Sequence, residues 1–470
     1  MSDALLVSGA LNAEQTPDDS GEPIFDKYSA VLNDFDPILF AGRVEKVRGQ
    51  LVQSLGPQAV VGEVCRIHLG GRVVHAEVVG LTGPHVQLMC FEDMTGIEVG
   101  SRVIATGGPL LVPVGNCLLG RVVDAFGRPL DGRGEIGASA FYPVSAAAPG
   151  AMNRERITSQ IETGVRAIDG LLAVGKGQRM GIFAGSGVGK STLMGMIARN
   201  TKADVNVIAL IGERGREVRE FIEYDLGSEG LARSVIVVST SDTPDLAKLK
   251  GALSASAMAE YFRDQGRDVM FLFDSVTRYA WAQREVGLSI GEPPTREGYP
   301  PSVFSGLQKL LERSGASDKG TITAFYTVLV EGDDMKEPVT DTVRGTLDGH
   351  LVLSRKIAQR AQYPAVDILE SISRLMDKGI APQDVRAAAS YLRRMLAVYT
   401  ESEDLINLGA YVQGTNAEID EAIRIMPALR EFLNQAVEEK AGLEETRAAI
   451  LKLAVRAGKA AGGEDEDEQI

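Results

Sequence analysis

The run Ala184-Gly185-Ser186-Gly187-Val188-Gly189-Lys190-Ser191 limits the fold more than any other stretch of the chain. It follows an apolar, strand-like segment, Met180–Phe183, and precedes a helix-like one, Thr192–Arg199. A strand, a glycine-rich turn and a helix in that order make a phosphate-binding P-loop. The glycines let backbone N–H groups converge on phosphate oxygens, and the helix N-terminus adds a favourable dipole. Lys190 is then placed to reach the β- and γ-phosphates of ATP, and the Ser191 hydroxyl to hold Mg²⁺. Gly185, Ser186, Gly187, Val188, Gly189 and Thr192 complete the expected nucleotide contacts. The first glycine of the pattern is Ala184 here, where the turn begins and a small residue suffices.

A P-loop strand belongs in a parallel sheet, and residues 109–380 alternate strand and helix accordingly. Buried strands are expected at Val205–Leu210, Val235–Val238, Val269–Phe273, Ile322–Val328 and Leu351–Leu353, with a long crossover helix at Asp245–Gln265. That is the pattern of an α/β domain with a mostly parallel sheet. Upstream, residues 31–108 alternate short β-rich runs with Gly turns, as in a small β-barrel. His68, His75 and His85 fall in or beside those strands and read as ordinary sheet positions. Downstream, residues 381–456 turn helical, with amphipathic runs at Val385–Tyr399, Ile419–Gln435 and Leu443–Ala454. Residues 1–30 read as a flexible tail and residues 457–470 as an acidic, solvated one.

The chain carries 64 acidic and 49 basic residues, a formal charge of −15. No whole-chain basic footprint exists, which argues against a general nucleic-acid binder. Three cysteines without paired spacing and four histidines carry no metal signature. This usage fits a reduced, cytoplasmic setting. No apolar run approaches a membrane span. The N-terminal segment, whose first basic side chain is Lys27, lacks the basic start of a signal peptide.

Hydrolysis needs more than a P-loop. It needs a carboxylate to organise the metal and a group to orient the attacking water. Val269–Phe273 followed by Asp274 supplies the first, at the strand end where ligands bind in parallel sheets, with Asp274 holding Mg²⁺ through water. Glu213 follows another expected strand and supplies the second. The structural alternative for Glu213 is an ion pair with Arg214 or Arg216. Trp281, the only tryptophan, is expected to pack in the core behind Asp274.

Gly212-Glu213-Arg214-Gly215-Arg216-Glu217 resembles the catalytic-glutamate segment of the rotary ATPase catalytic subunits and their type III export relatives. Arg121–Asp124 through Gly127–Gly132, Asp274–Ala280, Pro293–Pro300 and Tyr363–Asp367 match in the same order. The likeness covers roughly residues 35–455. Within that superfamily, 331–335 with Glu337-Pro338, Asp341–Gly345 and Ser371–Met376 are similar to the flagellar type III protein export ATPases. Injectisome ATPases share most of these residues, so both remain open.

The resemblance implies a β-barrel, a RecA-like P-loop NTPase domain and a C-terminal helical domain, assembled as a homo-hexamer with interface sites. It implies that Lys190 and Ser191 contact phosphate and Mg²⁺, Glu213 is the catalytic carboxylate, and Asp274 is the Walker B acid. By the same resemblance Tyr363 packs against adenine, and Arg374 is the arginine finger of a neighbouring subunit. Arg214 and Arg278 match arginines lining the site. The implied partners are a regulator at the N-terminal tail, a coiled-coil stalk in the ring pore, a membrane export gate and substrate–chaperone complexes. The implied location is the cytoplasmic face of the inner membrane. A rotary proton-pump catalytic subunit shares Lys190, Glu213 and Asp274 but needs a sister subunit. A non-catalytic sister would lack Glu213. An RNA helicase would need aromatics in the barrel, where residues 38–108 offer only Phe40 and Phe91.

Overall fold

The computed structural model describes residues 41–330, 332 and 334–458. The expected N-terminal and acidic tails, together with Glu331 and Asp333, lie outside these described residues. Two compact units divide between Leu111 and Val112.

The first unit is a closed six-stranded barrel. Its strands are β1 (Ala41–Arg48), β2 (Leu51–Leu55), β3 (Glu63–Leu69), β4 (Arg72–Thr82), β5 (His85–Cys90) and β6 (Arg102–Pro109), in the order β1-β2-β5-β4-β3-β6. Alternation along β4 buries Val74, Ala76 and Val78 and turns their neighbours outward. Cys65 and Cys90 sit in that core. Burial, aided by Glu63 and Glu92 respectively, pushes both thiols up to about 12, so they pack as apolar groups. His75 and His85 lie in these strands and face Glu92 and Glu45 at 3.2 and 3.0 Å.

In the rest of the chain the strands are β7 (Leu111–Val114), β8 (Arg121–Val123), β9 (Ala140–Pro143), β10 (Arg179–Ala184), β11 (Val205–Ile211), β12 (Ser234–Ser239), β13 (Asp268–Asp274), β14 (Gly315–Ala316), β15 (Thr321–Leu329), β16 (Gly349–Leu353) and β17 (Val366–Ser373). The main sheet runs β17-β16-β10-β15-β13-β11-β12-β8, with β14 attached to β15. From β8 to β16 every neighbouring pair on this path is parallel; β17 closes one edge antiparallel to β16. The central strands are buried on both faces: β11 and β12 have no exposed residue, as a sheet covered by helices requires. β8 and β17 were not among the expected strands. β8 has only three residues, and β17 is a half-exposed edge with a mixed burial pattern.

The helices that matter to the site are α1 (Arg166–Leu171), α2 (Lys190–Asn200), α3 (Asp245–Asp264), α4 (Val276–Ser289), α5 (Gln383–Asn407), α6 (Ala417–Leu433) and α7 (Leu443–Gly458). Asn416 caps α6 by accepting the Glu418 and Ile419 N–H groups. α5, α6 and α7 are not a separate body. Leu392, Leu429 and Ile450 share one continuous core with Ile168, Ile182 and Leu351.

α3 is fastened by a buried bidentate pair, Glu260 with Arg313 at 2.7 Å on both arms. Replacing Glu260 by Ala leaves the guanidinium buried and uncompensated, and the expected loss is about 3–5 kcal/mol. Arg216→Ala, which breaks an exposed pair with Glu220, is expected to cost under about 1 kcal/mol. Thermal melts of the two variants check the contrast.

A P-loop and two carboxylates at one sheet edge

Parallel strands deliver their C-terminal ends to one edge, and three of those ends build the site. β10 runs into the P-loop. β13 ends in Asp274, and β11 is followed by Gly212 and Glu213. The P-loop strand is not adjacent to β13, because β15 lies between them.

The turn itself is glycine-dependent. Gly187 and Gly189 have φ of 78° and 89°, in the left-handed region. Gly189 is the N-cap of α2, so the first turn of that helix opens onto the loop. Gly212 is equally constrained: its φ is 76°, and an added Cβ would lie 2.6 Å from Arg278 Cβ.

Lys190 Nζ lies 2.5 Å from Asp274 Oδ1 and 3.5 Å from Glu213 Oε1. Burial alone would lower the ammonium's pKa; the carboxylates of Asp274 and Glu213 overcome this and raise it. Glu213 is raised above an ordinary glutamate. Burial and the Asp274 charge push it up to about 7, against the pull of Lys190. Glu213 pairs with neither Arg214 nor Arg216. Arg214 lies 4.0 Å from Glu217 with its side chain 80% exposed, and Arg216 pairs with Glu220. Arg214 is therefore not gathered with Lys190 within this chain.

Other expected residues fall around this cluster. Ser191 and Thr192 open α2; the Thr192 hydroxyl bonds to Asp225. The Tyr363 ring comes up to the P-loop: a Cβ on Gly189 would be 3.9 Å from Tyr363 Cδ1. That tyrosine is 45% exposed, which leaves ring surface open. Arg278 stacks its guanidinium 4.6 Å from the Trp281 ring centre. Trp281 is accordingly not a core residue, contrary to expectation. It lines a cavity of about 430 Å³ together with Gly212, Lys248, Arg278 and Arg284, because α4 presents this face to the loops after β11 and β12.

Arg374 is at the far end of the sheet. The register aligns Ser373 with Gly349, and Gly349 with Met180, at the start of β10. The P-loop begins after Ala184, roughly 13 Å along the sheet at about 3.3 Å per residue. An arginine side chain cannot span that distance to its own P-loop. Arg374 is exposed, and among the described residues no carboxylate pairs with it.

One residue of the cluster is new. Thr327, on the intervening strand β15, donates its hydroxyl to Asp274 Oδ1 at 2.6 Å. Its signal in the sequence was a polar residue inside an apolar strand.

Family models match in three consecutive blocks. The ATP synthase alpha/beta family β-barrel domain covers residues 44–107, its nucleotide-binding domain covers 164–373, and the type III secretion EscN ATPase C-terminal domain covers 381–452. The chain belongs to the ATP synthase alpha/beta family, within its type III secretion branch. It is 56% identical to the flagellum-specific ATP synthase of Treponema pallidum, over 91% of this chain and 96% of that protein. It is 52% identical to the type 3 secretion system ATPase of Xanthomonas euvesicatoria, over 86% and 92% of the two chains. Among solved structures, the assembled ATPase EscN of enteropathogenic E. coli superposes with a TM-score of 0.83. That match has 42% identity and covers 88% of this chain and 100% of that one.

Thr327→Val keeps the shape of the strand and removes the donor to a buried carboxylate. A bond to a charged group is worth about 1.5–3 kcal/mol, so affinity for Mg·ADP is expected to fall on the order of tenfold in titration calorimetry.

Proposed function

We propose that this chain hydrolyses ATP at sites shared between neighbouring subunits of a homo-hexamer, and that this drives or assists type III export of unfolded flagellar proteins. The observation that carries the shared-site reading is the position of Arg374. It lies at the opposite end of its own sheet from its own P-loop, exposed, with no carboxylate partner among the described residues. An arginine so placed is out of reach of its own nucleotide and open to one held by another subunit.

Within the site each residue has a defined part. Gly185, Ser186, Gly187, Val188 and Gly189 bring backbone N–H groups to the phosphates, with Thr192 in the first turn of α2. Lys190 neutralises the β- and γ-phosphates. Tyr363 packs against adenine. Glu213 accepts a proton from the water that attacks the γ-phosphorus, as the bond to the ADP oxygen breaks and phosphate leaves. Its raised pKa suits a base working near neutrality. Arg374 from the neighbouring subunit meets the charge on the transferring group, Arg278 lies beside the Glu213 loop, and Arg214, which points to solvent in the single chain, would have to turn in on assembly to join them.

The donors suit Mg²⁺. The Ser191 hydroxyl and the buried Asp274 carboxylate are hard oxygens, and Thr327 holds one Asp274 oxygen in place. Asp274 would act through water. When bound, the ion screens the β- and γ-phosphate oxygens.

The family offers a frame for partners. EscN has been solved with its central stalk EscO, which supports a stalk in the pore of this ring. Regulator binding at the N-terminal tail, docking of substrate–chaperone complexes near the helical region, and contact with a membrane export gate at the cytoplasmic face complete the reading. The turn between α5 and α6 exposes Leu408 and Val412, a surface suited to such docking. Among the described residues no helix is long and apolar enough to cross a membrane. The injectisome reading is also supported, by secretion ATPase relatives at 46–52% identity, and export assays with flagellar and injectisome substrates separate the two.

Arg374→Ala is expected to lower turnover by about 10³–10⁵ while nucleotide binding persists. Mixing it with Lys190→Ala, itself inactive, is expected to restore part of the rate, because one partner donates the finger and the other the P-loop. No recovery on mixing, in rings shown by sizing to be mixed, would sink the shared site. Glu213→Gln is expected to bind ATP without hydrolysing it; wild-type turnover in that variant would remove Glu213 from the reaction.

A further inference from the structure

The loop that carries Tyr363 is joined to the sheet only beyond the tyrosine, where the Ser354 N–H donates to the Ala365 carbonyl at 2.9 Å; Tyr363 itself is held from elsewhere. It is held by the end of α6, some seventy residues away in the chain. Tyr363 N–H donates to Asn434 Oδ1 at 3.0 Å, and Gln435 N–H donates to the Tyr363 carbonyl at 2.7 Å. The two bonds hold Tyr363 on both sides, through the peptide units before and after it. Nearby, Arg360 makes a bidentate pair with Glu403 of α5, at 2.8 and 2.9 Å. The whole segment 360–363 is therefore tied to the C-terminal helices.

Gln435 is 2% exposed and fully engaged. Its Oε1 accepts the Arg166 N–H at 2.8 Å, and its Nε2 donates to the Gly164 and Glu439 carbonyls at 2.8 and 2.9 Å. Arg166 reinforces the same corner, donating to the Phe432 and Asn434 carbonyls at 2.8 and 2.7 Å and pairing with Glu439. The backbone at Thr163 and Gly164 is fixed in turn by the buried Asp169 carboxylate. A buried amide with all its bonds made is costly to displace, so the end of α6 and the Tyr363 loop move together or not at all.

We propose that Asn434 and Gln435 are positioning residues for the Tyr363 ring, through which the C-terminal helices set how tightly the nucleotide base is held. This rests on the reading that Tyr363 packs against adenine. Neither residue touches the phosphate cluster, so their effect falls on the base and spares the phosphates. A shift of α6 imposed by a partner would then change affinity without altering Lys190, Asp274 or Glu213.

The test compares a ligand with a base to one without. Displacement of a fluorescent ADP analogue from the full-length protein gives the affinities of Mg·ADP and Mg·pyrophosphate. Asn434 is exposed, so Asn434→Ala leaves the core intact. It is expected to weaken ADP about three- to tenfold, the value of one such hydrogen bond, with pyrophosphate unchanged. Asn434→Asp keeps the acceptor oxygen and is expected to bind ADP like the wild type. Equal weakening of both ligands, or no weakening of either, would overturn the proposal. Tyr363→Ala is measured beside them. If that variant weakens both ligands equally or neither, the adenine reading itself fails; if it weakens ADP alone and Asn434→Ala does not, only the positioning role fails.

Discussion

An ammonium shared by two buried carboxylates governs the site. Lys190 sits 2.5 Å from Asp274 and 3.5 Å from Glu213, all three largely removed from water. In such surroundings charges act on each other far more strongly than in solvent. Burial raises the pKa of Glu213 first, and the Asp274 charge adds to it against the pull of Lys190, because one positive charge is shared between two negative ones. Thr327 adds a second donor to the same Asp274 oxygen that Lys190 reaches.

That cluster depends on a parallel sheet. Its members come from the ends of β10, β13 and β11, spread over some ninety residues of sequence, and only parallel strands bring all three ends to one edge. The register that collects them also sends Arg374 to the other edge. One sheet thus presents a phosphate site at one end and a free arginine at the other. Subunits arranged head to tail in a closed ring would use both ends of every sheet.

Much of this was legible in the chain because the signals are local. Glycines at 187 and 189 are required by left-handed backbone, and the apolar run ending in Asp274 is a strand ending in a carboxylate. Strands β10, β11, β12, β13, β15 and β16 were apparent from continuous apolar runs. The parts that escaped are those whose meaning is not local. Thr327 lies in an apolar strand and matters because that strand separates β10 from β13. β17 was hidden by its half-exposed edge. Trp281 looked like core because it follows a buried strand, yet α4 turns it toward a cavity under Arg278. Arg214 matched by likeness, but its side chain points to solvent within the single chain.

The order of residues therefore carried the local expectations: a phosphate loop and two acids at strand ends, readable from their neighbours, while the expectations for Tyr363 and Arg374 came from likeness to a family. The folded chain decided the partnerships. Lys190 shared between two acids, Tyr363 gripped by Asn434 and Gln435, and Arg374 stranded from its own P-loop depend on strand order and register. Those are set by the burial of sheet faces and by helices packing back over them, which no short stretch of sequence contains.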